Sequence, residues 1–172
     1  MKAAPMSFAE VFAPLEAWGS ENTRRIYARM GAGENQFGVT LGNLRGLVRK
    51  LKTNHGLALQ LWATGNVDAM ILATMLMAPD RLPVKEIEGM VKPLTYYRLI
   101  DELVDNVVVK TSHADDLRTR WMDSPKEMIG RAGGTFWPPG LSMAAPGVWI
   151  SAPSWKRLRP KSCPLPSASK NR

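Results

Sequence analysis

Asp101 lies one helical turn after Tyr97 in the segment LTYYRLIDELVDNVV, residues 94–108, and a carboxylate beside an aromatic ring is a pair that can receive a cation. The carboxylate supplies charge and the ring a π face that attracts the same ion. At about 100° per residue, Leu103, Tyr96, Val107, Ile100, Val104, Tyr97 and Val108 share one arc of a helix over Leu94–Val108. Asp101 falls just past Val108 on the rim of that arc, and Asp105 one turn further along the same border. On this helix alone two readings stay open: a solvated boundary carboxylate, or a charge placed to meet a cation at a wall rather than in open water.

A second chemical signal is a basic stripe. Arg45, Arg49 and Lys52 recur at i, i+4 and i+7, with Lys50 adjacent and Arg24, Arg25 and Arg29 on the preceding helix. No acidic residue lies between Asn35 and Val67, so nothing nearby in the chain neutralises the stripe. It reads either as a solvated helix face or as a set of phosphate contacts. The glycine-rich stretch around Gly31, Gly33, Gly38 and Gly42 contains no GK[ST] and follows no strand, so it reads as a connector and not a nucleotide cradle. His55 and His113 stand far apart without partner ligands, and Cys163 is single, which argues against a metal site or a disulfide framework.

The elements that must carry these residues are helices. Ser7 with Glu10 forms a capping box, Pro14 and Gly19 are expected to interrupt the first helix, and Ser20 caps a second one through Met30. Thr40 caps the helix with Leu41, Leu44, Leu47, Val48 and Leu51; further helices are expected at about 54–64, 66–77, 83–91, 94–109 and 113–122. Ser124, Pro125 and Glu127 start one more. Strand alternation is absent, so the fold class is all-α, and short helices joined by tight turns point to stacked pairs, a solenoid. In WATGNVDAMILATMLMAP, residues 62–79, Ala69, Leu72, Ala73 and Leu76 form the expected packing side of a pair's second helix.

Charge divides the chain of 172 residues in two. Its formal net charge is +8, but residues 1–133 hold 17 basic and 15 acidic residues, while residues 134–172 hold six basic residues and no acid. The expected organisation is a helical-repeat domain over 1–133 and an irregular basic tail over 134–172. That tail contains seven of the 13 prolines and three of the six tryptophans, and reads as a disordered arm or as out-of-frame translation. The apolar stretches are shorter than the roughly eighteen residues of a membrane span, and MKAAPMSFAE lacks the apolar centre of a signal peptide. A soluble, cytoplasmic monomer without metal or cofactor is expected.

The stretch QFGVTLGNLRGLVRKLKTNHGLALQLWATGNVDAMILATMLM followed by LIDELVDNVV resembles the bacterial DNA alkylation repair family of AlkD-like glycosylases, which are solenoids of HEAT-like repeats. The matching pieces are Gly38-Val39 with Leu44-Arg45, the LAxxLW of Leu57–Trp62, the helix around Asp101, and Arg131-Ala132-Gly133. Resemblance covers roughly residues 5–133. It implies excision of cationic N3- or N7-alkylated purines from double-stranded DNA, with Asp101 as the catalytic carboxylate, Tyr97 in place of the usual Trp one turn earlier, and Arg131 as a contact near the lesion. It leaves Arg45, Arg49, Lys50 and Lys52 as backbone-binding candidates, and it implies later repeats, which are expected to be missing or replaced after residue 133.

The implied chemistry suits a lone carboxylate. An alkylated purine already carries positive charge, so it leaves without prior protonation while the sugar becomes oxocarbenium-like. A carboxylate at ~4 Å and an effective dielectric of ~20 stabilises that cation by roughly 4 kcal/mol, about a thousandfold in rate. Two other functions use the same features: a non-catalytic helical-repeat module that binds nucleic acid through the stripe, and a protein-binding HEAT scaffold in which the stripe is incidental.

Overall fold

The computed structural model describes residues 6–135. Among them lie nine α-helices: α1 Phe8–Ala17, α2 Glu21–Arg29, α3 Leu41–Leu51, α4 His55–Ala63, α5 Val67–Leu76, α6 Val84–Val91, α7 Tyr97–Asn106, α8 Ala114–Met122 and α9 Glu127–Thr135. Two single 3-10 turns, Pro79–Arg81 and Val108–Lys110, join them, and no strand occurs among the described residues. Gly134 and Thr135, expected to open the tail, instead complete α9; the rest of the expected tail lies outside the described residues.

Local chemistry sets the starts of α1, α3, α4 and α5 through side-chain caps. Ser7 and Glu10 close a reciprocal capping box, and the side chains of Thr40 and Asn54 accept from the backbone N–H three residues on. Ser20 sits at the N-cap of α2 without a side-chain bond. Pro14 does not interrupt α1, which runs through it to Ala17. The ring removes one N–H, and the carbonyl it leaves without a partner belongs to Glu10, an exposed residue that water can serve. The helix carrying Asp101 is shorter than its periodicity suggests. Tyr96 is an extended N-cap, and after Asn106 the chain tightens into the 3-10 turn of Val108–Lys110.

Packing is organised by α5. Val67 to Thr74 and Leu76 are all buried, so the helix has no outward face, and the expected single packing side becomes burial all round. It pairs with α4 and also contacts α3 and α7, while α7 in turn packs on α9 and α9 pairs with α8. Thus α3, α5, α7 and α9 pack in succession, with α4 paired on α5 and α8 on α9: the stacked-pair plan of a solenoid. Each fully buried aliphatic side chain at these joints, such as Leu44, Leu72 or Leu103, contributes about 1.5–3 kcal/mol of burial.

One buried charge locks the connector between α2 and α3. Asp68, wholly enclosed, accepts from the backbone N–H groups of Phe37 (2.7 Å), Gly38 (2.9 Å) and Val39 (3.0 Å). The glycine-rich loop therefore does cradle an anion, and the anion is the protein's own carboxylate. Gly38 has φ +81°, and a Cβ there would lie 2.5 Å from the Ser20 carbonyl oxygen. Left-handed backbone and close approach together require glycine at this position. Burial pushes the Asp68 carboxyl above its ordinary range, opposed by the three N–H donors.

Candidate active site

The succession α3–α5–α7–α9 brings together side chains far apart in sequence. Asp101 leaves α7 toward α9, where Arg131 meets it edge-on: Nη2 donates to Oδ2 at 2.6 Å and Nε to Oδ1 at 3.0 Å. The Arg131 guanidinium also lies over the Tyr97 ring, 4.8 Å from its centroid. The Thr135 hydroxyl, one turn beyond Arg131, lies 3.3 Å from Asp101 Oδ1 and 3.0 Å from the Arg131 carbonyl oxygen, and its single proton serves one of them. The Asp101 and Arg131 side chains are 25% and 31% exposed, so the pair sits at a rim that solvent and a ligand can reach.

A close helix contact sets this register. A Cβ on Gly133 would lie 2.5 Å from the Met122 backbone nitrogen, so α9 can lie on α8 at this distance only with glycine there. The Arg131-Ala132-Gly133 motif thereby couples a steric requirement to the position of the guanidinium two residues earlier. Behind the pair, the rings of Tyr27, Tyr96 and Tyr97 follow one another at 5.8 and 5.7 Å. Tyr96 is buried, and that burial pushes its phenol well above the usual range.

The basic stripe divides. Arg45 reaches across to Glu102, its Nη2 at 3.8 Å from Oε1, and Arg98 approaches the same oxygen at 3.7 Å. Glu102 is itself buried, and its other oxygen accepts from Asn106 at 3.0 Å, whose amide also donates to Thr74 at 3.1 Å. Arg49 and Lys50 remain exposed on α3 with no ion pair to another described residue within 4.0 Å. Lys52 does not continue the stripe. It is the C-cap of α3 at φ 54°, so its side chain departs from the helix face.

The sequence profile of the family described as "DNA alkylation repair enzyme" matches residues 11–139, three quarters of the chain. The chain belongs to this family. A solved structure described as from "a new family of proteins related to the HEAT-like repeat DNA glycosylases with affinity for branched DNA structures" superposes with a TM-score of 0.70 at 33% identity. It covers 76% of this chain and 55% of its own. The uncharacterised protein Lin0241 of Listeria innocua is 25% identical over 134 residues, which span 74% of this chain and 59% of that protein. This family member thus spans less than two thirds of the length of both relatives, and its all-α architecture is that of the HEAT-like repeat proteins.

Within this family member the carboxylates of α7 do different work. Asp101 faces α9, Glu102 faces α3, and Asp105, exposed on α7, has its carboxyl raised above the ordinary range by partial desolvation against its neighbours and by the charges of Asp101 and Glu102. Reading the sequence missed Glu102, Arg98, Asn106 and Thr135. The i, i+4 spacing of Arg98 with Glu102, and of Arg131 with Thr135, was the available signal, but such spacing marks many solvated pairs as well. Among the described residues no group of His, Cys, Asp and Glu is placed to hold a metal ion, and no helix is long and apolar enough to cross a membrane.

Proposed function

We propose that the chain is a DNA-repair protein that hydrolyses the N-glycosidic bond of cationic N3- or N7-alkylated purines in double-stranded DNA, acting as a cytoplasmic monomer. Asp101 stabilises the developing sugar cation and orients the attacking water, and the Tyr97 ring lies against the cationic nucleotide. Arg131 contacts the DNA near the lesion, and Arg45, Arg49 and Lys50 on α3 hold the phosphate backbone. The observation that carries the reading is the rim carboxylate of Asp101 beside the Tyr97 ring, with two different arginines on the same succession of helices.

Base release from a duplex carrying N7-methylguanine tests it. The wild-type chain should release the base, and Asp101→Asn should do so about a thousandfold more slowly, the loss of one ~4 kcal/mol charge interaction. No release by the wild-type chain, or equal release by the variant, removes the catalytic reading.

A second reading has its own support. Arg131 neutralises Asp101, and the solved relative is described by affinity for branched DNA structures. On this reading the chain binds DNA junctions without cleaving a glycosidic bond. Tighter binding to a four-way junction than to a linear duplex of equal length, without base release, is the pattern it expects.

A further inference from the structure

The Arg131 guanidinium is held by a carboxylate edge and an aromatic face, the two features the glycosylase reading assigns to the substrate's cation. Its Nε and Nη2 take Oδ1 and Oδ2 of Asp101 at 3.0 and 2.6 Å, and its Cζ lies 4.8 Å from the Tyr97 centroid. A guanidinium is a flat, delocalised, permanently charged group, and so is the ring system of an N-alkylated purine. We propose that Arg131 is an internal competitor for the cation seat of Asp101 and Tyr97, which an alkylated base takes by displacing the guanidinium. The inference rests on the glycosylase reading for the identity of the displacing cation.

The exchange is feasible because it swaps one ion pair for another. A cationic base restores to Asp101 the charge that Arg131 withdraws, whereas a neutral base leaves a carboxylate, three quarters enclosed, without a countercharge. Arg131 sets a threshold that an unmodified purine does not cross. Its long side chain is 31% exposed on α9, so on leaving the seat the guanidinium fork would face solvent, where a DNA phosphate can replace Asp101 as its partner. The Thr135 hydroxyl lies 3.3 Å from Asp101 Oδ1, so it can turn its proton from the Arg131 carbonyl oxygen to the carboxylate when the guanidinium leaves.

Competition for a seat lowers apparent affinity by the fraction of molecules in which the seat is open. A partly exposed ion pair is modest in strength, so removing it should raise the affinity for a seated cation about fivefold to tenfold. The probes are two duplexes that do not lose their base: one with a single 2′-fluoro N7-methylguanosine, the other with 2′-fluoroguanosine at the same place. Affinities of the wild-type chain, Arg131→Gln and Asp101→Asn for both are measured by fluorescence anisotropy.

The expected result is that the preference for the methylated duplex rises about fivefold to tenfold in Arg131→Gln and disappears in Asp101→Asn. Because each preference is a ratio taken on one protein, loss of folded material in a variant cancels. An unchanged or smaller preference in Arg131→Gln, with both duplexes weakened alike, makes Arg131 a plain backbone contact and overturns the proposal, as does a preference that survives in Asp101→Asn. Base release from natural-sugar N7-methylguanine is read separately. A chain with the Arg131-dependent preference and no release keeps the seat while losing the glycosylase reading.

Discussion

Two adjacent glycines of α9 should respond to alanine with opposite signs. A Cβ at Gly133 meets the Met122 nitrogen at 2.5 Å, the Trp121 carbonyl carbon at 2.8 Å and the Met122 Cα at 3.0 Å, all of them backbone atoms that cannot rotate away. Ordinary contact begins at 3.4 Å, so α8 and α9 must separate by about 1 Å. That opens the joint where Trp121 and Ala132 are buried, a cost of about 2–4 kcal/mol, against which alanine returns up to about 1 kcal/mol of helix propensity. A net loss of about 1–3 kcal/mol is expected for Gly133→Ala, a fall in Tm of about 5–10 °C for a domain of this size. Gly134 has nothing within 4 Å of its Cβ position, so Gly134→Ala should be neutral or stabilising by about 0.5 kcal/mol. The shift of α9 also lengthens the 2.6 and 3.0 Å bonds from Arg131 to Asp101, so the proposed preference for a methylated duplex should change in the first variant and not in the second. Urea denaturation of both proteins is the assay. Equal stability of the two variants would show that the helices do not approach as closely as the Gly133 contact requires, and the steric argument for the Arg131 register would fall with it.

Asp68→Ala should destabilise the domain by about 3 kcal/mol, since it strands three enclosed backbone N–H groups, and the amides of Phe37, Gly38 and Val39 should lose protection from hydrogen exchange; a loss below about 1 kcal/mol contradicts the lock. Asp105→Asn should stabilise the chain at neutral pH. Partial desolvation, then the charges of Asp101 and Glu102, raise the folded-state pKa of Asp105, so wild-type stability falls as pH rises from the ordinary Asp value to the folded one, and the variant's advantage fades over the same interval as pH falls; thermal melts across pH 3–7 check the sign. Arg49→Ala should weaken duplex binding at low salt and reduce the log-log salt slope by about one, whereas an unchanged slope removes Arg49 from the DNA interface.

The starts at Ser7 and Thr40 were legible because a cap is local chemistry, whereas Ser20 makes no cap bond and α9 begins at Glu127, two residues beyond the expected Pro125. Ser7, Thr40 and Asn54 each satisfy an N–H three residues away, and no tertiary contact is needed to see it. Pro14 misled for the complementary reason: whether one missing N–H ends a helix depends on where the orphaned carbonyl points. The burial of α5 was half visible. Its small residues showed that something packs closely, but a helix enclosed on all sides has no periodicity from which to read its neighbours. The charge reading of α3 was correct along the chain, with no acid between Asn35 and Val67, yet Glu102 lies 3.8 Å from Arg45 because α3 and α7 both pack on α5.

Residue type and spacing alone determined the all-α class, the helices' approximate extents, and the pairing of Asp101 with an aromatic residue one turn earlier, since all of these depend on neighbours within four or five positions. The tertiary structure decided what those residues meet. Asp101 and Arg131 are 30 residues apart, Phe37 and Asp68 are 31 apart, and no periodicity reaches so far. Close backbone contact at Gly133 and the succession of α3, α5, α7 and α9 bring these groups within hydrogen-bonding distance. A carboxylate that the chain presents as an open charge is, in the folded molecule, already engaged by a cation.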